Sequence, residues 1–194
     1  YPYLKKDLEQ GVISEKKAQE LLECLFVKFS ERVCLKEIQS LVGFSGFRTN
    51  DKITIGGMDV RSRDATNDLS YMCLEAHAHV HLNEPPISLR VHRDTPEDFL
   101  KCALEVVRLG GGLPQIISDE VIIPSMVNTG VSLEDARNYA DIGCQENVTD
   151  PNTSGADTQG HCNAGFFNLV KPIELALNNG VNPSNGKQVG PRTG

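Results

Sequence analysis

The first third of the chain carries hydrophobic residues at a helical spacing. After Ser14, a residue type that caps helices, apolar side chains recur every three or four residues through positions 18–33. Four turns of this spacing predict an amphipathic helix. A second stripe of the same kind runs through positions 69–80 and predicts another helix, with Asp64 or Thr66 at its start.

Shorter segments have the composition of strands. Lys52–Ile55 ends at two glycines and reads as a short strand, Ile87–His92 alternates polar with apolar residues, and Gln115–Ser118 is rich in β-branched side chains. These features predict three strands. The residues just before the first of them, 43–51, have the glycine and polar content of a loop.

Three more helices are predicted from their end signals. One has Thr95 as its cap, Pro96 as its first residue and acidic residues in its first turn, and it ends at the glycines 110–112. The glycines precede a strand, so a helix end and a turn are favoured over a phosphate-binding loop. Another helix begins after Ser132, and the last covers about 169–179 with Gly180 as its C-cap. Helices alternating with short strands indicate an α/β fold.

Composition narrows the possible functions. The chain has 194 residues, a formal net charge of -7 and no run of apolar residues long enough to span a membrane. The acidic balance disfavours nucleic acid as a partner. Six cysteines without a C-x-x-C pair, and no export signal, favour free thiols in the cytoplasm. At least three of them fall within helical apolar patterns, where a cysteine packs as a small hydrophobic residue. The abrupt ends of the sequence suggest an internal piece of a longer polypeptide.

The sequence His77-Ala78-His79-Val80-His81 is a candidate metal site. On a strand all three imidazoles would share a face, whereas on a helix only His77 and His81 would. The surrounding periodicity favours a helix, which leaves two ligands without a recognisable third. We therefore favour a solvated or core-edge histidine face over a metal centre.

Gly143-Cys144-Gln145-Glu146 is the more informative candidate. Cys144 has glycine and polar neighbours and no apolar stripe to join, and Glu146 follows two residues later. In an extended loop these two side chains would point the same way. A Cys–His hydrolase would need an activating histidine, for which His161 and His92 are available without a local signature. A neighbouring carboxylate disfavours the thiolate and suits chemistry that uses a neutral S–H group, which is hydrogen-atom transfer.

At these residues the sequence resembles glycyl radical enzymes, the pyruvate formate-lyase-like family. Tyr139–Glu146 is similar to the active-site cysteine loop of that family, and four other segments match its motifs in the right order. The other matching segments are Ile55–Ser70, Ile87–His92, Gly110–Pro114 with Ser118–Pro124, and Asn168-Leu169 with Glu174–Gly180.

The resemblance implies a ten-stranded α/β barrel, of which residues 1–194 would be an internal segment of one catalytic domain. It implies a glycyl radical on a glycine outside the segment, installed by a radical S-adenosylmethionine activating enzyme, and no other bound cofactor. By position, Cys144 would be the thiyl residue and Glu146 the proton donor or acceptor. Phe47 and Arg48 lie where some members line the substrate pocket. The full-length protein would be a cytoplasmic homodimer acting on a small organic molecule.

Several functions stay open at this point. A glycyl radical lyase of the dehydratase or decarboxylase type is favoured, because Gln145 stands where pyruvate formate-lyase has a second cysteine. The alternatives are a formate C-acetyltransferase-like enzyme, a two-electron thiol enzyme using Cys144 with His161, and a non-catalytic metal-binding or structural module built on the histidines 77, 79 and 81.

Overall fold

The computed structural model describes residues 1–33, 35, 37–38, 51–143, 146–149, 168 and 170–190. The described residues have the predicted α/β character. The chain divides into two units, residues 1–161 and 162–194, and each is described by itself. The predicted loop at 43–51 lies outside the described residues except for its last position.

Within the described residues, the first unit contains all but one of the helices and every strand. In chain order its elements are α1 (Pro2–Glu9), α2 (Glu15–Glu31), β1 (Ile53–Gly56), α3 (Asp68–Val80), β2 (Ile87–Val91), α4 (Glu97–Arg108), β3 (Gln115–Ser118), α5 (Asp119–Asn128), α6 (Leu133–Arg137), β4 (Ala140–Ile142) and β5 (Glu146–Val148).

The three predicted strands form one parallel sheet in the order β1-β2-β3. Thr54 is in register with Ser88, and Ser88 with Gln115. Parallel neighbours need a crossover connection, which α3 supplies between β1 and β2 and α4 between β2 and β3. The strands β4 and β5 form a separate antiparallel hairpin with Asp141 opposite Asn147.

The two faces of the parallel sheet differ in chemistry. One face carries Ile55, Ile87 and Leu89, which are buried in a single apolar core with residues of α2, α3 and α4. Side chains alternate along a strand, so the other face of β2 carries Ser88 and Arg90. These polar side chains are buried as well, because the segment 139–141 packs over them. The alternation of polar and apolar residues in β2 therefore corresponds to two buried faces, and not to one buried and one solvent-exposed face.

Helix ends agree with the sequence in most places. The Ser14 hydroxyl accepts a hydrogen bond from the Lys17 N–H at the start of α2, and Ser132 does the same for the Asp135 N–H in α6. The glycines 110, 111 and 112, with φ of 102°, 82° and 73°, follow the end of α4. Positive φ of this kind is the reason for glycine at each position.

Two predicted caps are wrong. The helix α3 is capped by Asn67, whose side chain accepts from the Leu69 N–H, and not by Asp64 or Thr66. Thr95 does not cap α4, because its hydroxyl accepts from the His92 N–H at 2.8 Å. In both places the predicted residue is polar and near the helix start, but the chain turns there and its side chain binds elsewhere.

Helices α1 and α5 were not predicted. In α5 the sequence signal is obscured by Pro124, which lies inside the helix and is a residue type that interrupts most helices. The second unit contains α7 (Val170–Leu177), close to the predicted 169–179. Gly180 follows it with φ of 80°, and its N–H donates to the Leu175 carbonyl at 2.7 Å, which agrees with the predicted C-cap.

Candidate active site

The hairpin β4–β5 carries the cysteine motif. Ile142 is paired with Glu146, so residues 143–145 connect the two strands. Cys144 and Gln145 lie outside the described residues, as do Phe47, Arg48 and His161. The sequence interpretation placed the motif in a loop just after a helix, whereas its described flanks, Gly143 and Glu146, belong to a hairpin. The expected common direction of the Cys144 and Glu146 side chains stays a prediction.

The Glu146 side chain lies against Gly143. Gly143 has a φ of 54°, and a Cβ atom built on it would lie 2.5 Å from Glu146 Oε2. The carboxylate therefore occupies the space that a side chain at position 143 would need. This places a partly buried acid at the residue directly before Cys144, and it requires glycine at position 143 for both its φ and its missing side chain.

Arg90 holds the start of β4 against the sheet. Its guanidinium makes two hydrogen bonds to the Asp119 carboxylate, at 2.8 and 3.0 Å, and donates to the Tyr139 carbonyl at 2.9 Å. The Tyr139 hydroxyl donates to Asp119 at 2.8 Å, and the guanidinium lies 4.0 Å above the tyrosine ring. We call Arg90, Asp119 and Tyr139 the Arg90 cluster. Burial, together with the Asp119 charge, raises the pKa of the Tyr139 phenol, so it acts as a hydrogen-bond donor.

Asp141, two residues further along, is held by a second set of contacts. Its carboxylate is fully buried and accepts from Lys52 and Ser88, and Lys52 also donates to Gln115 at 2.7 Å. Thr54 Oγ1 bonds the Asp141 backbone at both polar groups, at 2.9 Å to the carbonyl and 3.0 Å to the N–H. We call Lys52, Thr54, Ser88 and Asp141 the Asp141 clamp.

Neither cluster was predicted from the sequence. The one local signal was the presence of Ser88 and Arg90 in a strand that is otherwise apolar. Neither residue type is usually buried without a partner. Their partners lie between 29 and 53 residues away along the chain, where periodicity carries no information.

The three histidines lie on or at the end of helix α3, as the periodicity predicted. His77 is buried, His79 is exposed with Nδ1 2.6 Å from Glu23, and His81 ends the helix with a φ of 45°. Burial lowers the pKa of His77, and the Glu23 carboxylate raises that of His79. Among the described residues no three metal-ligating side chains lie close enough to hold an ion.

Three of the cysteines lie in helices, also as predicted. Cys24 in α2, Cys73 in α3 and Cys102 in α4 are free thiols. Burial raises the pKa of Cys73 to about 11, which makes its thiol a poor nucleophile. Cys24 is exposed and is therefore not part of the core packing expected for it. None of the described helices has the length and hydropathy needed to cross a membrane.

A family model described as "Pyruvate formate lyase-like" matches residues 1–194, the whole chain. The chain belongs to this family. Its members with solved structures include one described as a glycyl radical enzyme, from Archaeoglobus fulgidus, which is 33% identical over 100% of this chain with a TM-score of 0.77. The family membership that the cysteine motif indicated is confirmed.

Further known proteins are similar to the chain over its whole length. The trans-4-hydroxy-L-proline dehydratase of Clostridioides difficile is 33% identical over 100% of this chain and 24% of its own length. A structure concerned with 1,2-propanediol dehydration in Roseburia inulinivorans is 40% identical, with a TM-score of 0.80, over 100% of this chain and 24% of that protein. The chain thus spans about a quarter of the length of these relatives.

Proposed function

We propose that this chain is the part of a glycyl radical lyase that carries its hydrogen-atom relay residue, with Cys144 as the thiyl-forming residue and Glu146 as the acid–base group. The observation that carries the proposal is the Glu146 carboxylate packed against Gly143, next to the cysteine position. A relay cysteine needs a neutral S–H group, and an elimination needs a base near the same substrate carbon.

The chemistry divides between the two residues. A thiyl radical at Cys144 takes a hydrogen atom from a substrate C–H bond, which re-forms S–H and leaves a carbon radical. That radical makes a neighbouring hydroxyl or carboxyl proton more acidic. The Glu146 carboxylate accepts this proton as the leaving group departs, and the thiol then returns its hydrogen atom to the product radical. General base catalysis of this kind contributes about 10² to 10⁴ in rate.

The relatives support an elimination or a decarboxylation. They include dehydratases and the isethionate sulfite-lyase of Bilophila wadsworthia, which is 34% identical over 100% of this chain and 23% of its own length. An indoleacetate decarboxylase from Tractidigestivibacter scatoligenes is 31% identical over 97% of this chain. These names describe loss of water, sulfite or a carboxyl group. We propose the same class of substrate here, a small organic molecule, and disfavour acetyl transfer because Gln145 follows Cys144.

The remaining expectations belong to the full-length protein. We propose that the three parallel strands are part of a ten-stranded barrel and that the radical is installed by a radical S-adenosylmethionine activating enzyme on a glycine elsewhere in the polypeptide. A homodimer in the cytoplasm and a pocket contribution from Phe47 and Arg48 complete the proposal.

The test uses the full-length enzyme, activated anaerobically, with the glycyl radical counted by electron paramagnetic resonance. Substrates are the small molecules named for the relatives: trans-4-hydroxy-L-proline, 1,2-propanediol, glycerol and isethionate. Cys144→Ser should abolish turnover and leave the radical in place, because an O–H bond is too strong for a glycyl radical to break. Cys24→Ser, at an exposed cysteine, is the matched control and should keep turnover.

Glu146→Gln should lower kcat by about 10² to 10⁴ with the radical yield unchanged, because the amide keeps the shape and removes the base. Glu134→Gln, at an exposed glutamate in the first turn of α6, is its control. Wild-type turnover in Cys144→Ser would overturn the relay role. Turnover within about tenfold of wild type in Glu146→Gln would overturn the acid–base role.

A further inference from the structure

The Thr54 hydroxyl makes hydrogen bonds to both backbone polar groups of Asp141 in strand β4. Thr54 Oγ1 donates to the Asp141 carbonyl at 2.9 Å and accepts from the Asp141 N–H at 3.0 Å. The N–H and C=O of one residue point to the same side of a strand, so both of these groups face β1 and not the hairpin partner β5. Thr54 therefore takes the place that a neighbouring strand would otherwise fill.

The Asp141 side chain is fixed at the same point. Its carboxylate, fully buried, is bonded by Lys52 ahead of β1 and by Ser88 of β2. Lys52 is itself held by Gln115 of β3. Backbone and side chain of one residue are thus tied to all three strands of the parallel sheet. The hairpin is fixed more firmly here than its three-residue strands alone would allow.

Asp141 lies three residues before Cys144. Three residues of chain span at most about 10 Å. A shift of the backbone at Asp141 therefore also shifts the position of the Cys144 thiol. Hydrogen-atom transfer needs close approach of donor and acceptor, and a misplacement of about 1 Å can cost about 10² in rate. A contact that fixes Asp141 therefore controls the relay without touching the substrate.

We propose that Thr54 is a positioning residue for Cys144, acting through the Asp141 backbone and supported by Lys52 and Ser88. This inference rests on the proposed relay role of Cys144. It assigns to the start of the sheet a part in the reaction that is separate from the stability of the fold.

The test measures the relay without substrate, in the full-length enzyme transferred to D₂O. The Cys144 S–H exchanges with solvent, so transfer of deuterium to the glycyl radical and return of a hydrogen atom to the thiyl leave deuterium on the glycine. The proton splitting of the radical signal then collapses at the rate of the relay. The radical yield, the thermal unfolding midpoint and kcat are measured on the same samples.

Thr54→Val keeps the shape and removes the hydroxyl. We expect the deuterium exchange rate and kcat to fall together by about 10-fold to 100-fold with an unchanged radical yield, and Thr54→Ser to restore both to within a few-fold of wild type. Ser88→Ala, which removes one donor to the carboxylate, should slow exchange by a few-fold in a folded enzyme. Thr95→Val is the matched control, because it removes a hydroxyl bonded to the His92 N–H just after the end of β2 and should leave exchange unchanged.

Wild-type exchange in both Thr54→Val and Ser88→Ala would overturn the inference, and so would an equal loss in Thr95→Val. An unmodified enzyme that forms the glycyl radical and shows no deuterium exchange would instead overturn the relay role of Cys144, and the positioning role with it.

Discussion

The two ends of the short segment from Tyr139 to Asp141 are held in different ways. In the Arg90 cluster every oxygen of Asp119 has a donor, including the Met58 N–H at 2.7 Å, and Arg90 also bonds the carbonyls of Tyr139 and Arg137. In the Asp141 clamp one carboxylate oxygen, Oδ1, has no hydrogen-bond partner among the described residues, and neither does Oδ1 of Asn147 opposite it.

This difference separates stability from function. A buried ion pair with all its hydrogen bonds made is costly to break from one side, and it fixes the chain in one place. At the end of the segment nearer to Cys144, by contrast, the buried Oδ1 of Asp141 lacks a hydrogen-bond donor among the described residues. Each buried polar group without a partner in a native structure needs an explanation, and a catalytic role is one of them. We therefore expect changes in the Arg90 cluster to alter unfolding and changes near Asp141 to alter turnover.

The largest effect is expected for Asp119→Ala. This change leaves the Arg90 guanidinium buried without its counter-charge, and removal of one partner from such a pair costs about 3–5 kcal/mol. Denaturant unfolding of the full-length protein measures the loss. Asp94→Ala, at an exposed aspartate, should stay within about 0.5 kcal/mol of wild type. A loss below about 1 kcal/mol for Asp119→Ala would show that the cluster does not hold the segment.

Gly143→Ala tests the region next to Cys144, beyond the Asp141 end of the segment. The new methyl group would lie 2.5 Å from Glu146 Oε2 at a residue with a φ of 54°, so the carboxylate has to move. We expect kcat to fall by about 10², the effect of misplacing a reacting group, while the strain of a non-glycine residue costs about 1–2 kcal/mol. Gly130→Ala also has a positive φ, 100°, but open space around it, and serves as the control with unchanged kcat. Equal kcat losses in the two variants would assign the effect to strain alone.

A smaller effect is expected for Tyr139→Phe. The change removes one of two donors to Asp119 Oδ1, since Arg90 Nε still donates to that oxygen at 2.8 Å. The expected loss is about 1 kcal/mol of unfolding free energy, the typical value for one hydrogen bond. We expect kcat to be unchanged. A tenfold loss of kcat in this variant would remove the distinction between the two ends.

The smallest effect is expected in the pH dependence of stability. It concerns His77 in α3, away from both ends of the segment. Burial, and next the His81 charge, lower the pKa of His77, so the folded state favours its neutral form. The stability from neutral His77 is present above the ordinary histidine pKa of about 6.5 and is lost as pH falls through the lower pKa of the folded protein. As the pH falls from 8 to 5, the free energy of unfolding of His77→Leu should therefore rise relative to that of wild type.

His79 supplies the control with the opposite sign. The hydrogen bond that the His79 ring donates to Glu23 raises the pKa of His79, so its contribution to stability is present at low pH and is lost as pH rises through that raised value. His79→Ala should thus be less stable than wild type at low pH, and the difference in the free energy of unfolding should disappear toward pH 8. Parallel pH trends in the two variants would contradict both assignments.

The sequence predicted the parts of this molecule that depend on neighbours along the chain. The Ser14 cap and the strand at Gln115–Ser118 are local patterns, and both are present. The cysteine motif was singled out by its local setting, because Cys144 has no apolar stripe to join and Glu146 follows two residues later. The roles of the two residues came from the family resemblance. The helix α5 was missed because Pro124 interrupts its pattern, although tertiary packing of Ile123 and Met126 stabilises it.

The Asp141 clamp could not have been predicted in the same way. Lys52 and Asp141 are 89 residues apart, and nothing in either neighbourhood indicates that the two side chains meet. A lysine before a strand usually stays in water, and an aspartate is almost never fully buried unless it is paired. Only the register of β1 with β2 brings the partners of Asp141 to one face.

The spacing of these contacts along the chain also sets an order of assembly. Asp119 and Tyr139 are 20 residues apart, whereas Lys52 and Asp141 are 89 apart, and closing the longer loop first would cost roughly 1.3 kcal/mol more in chain entropy. Once Tyr139 is docked, Asp141 is tethered two residues from a fixed point and the long closure becomes short. We therefore expect the segment to attach from Tyr139 toward Cys144 as the protein folds. In amide hydrogen exchange, the same order would make the cysteine end the last part to form and the first to open.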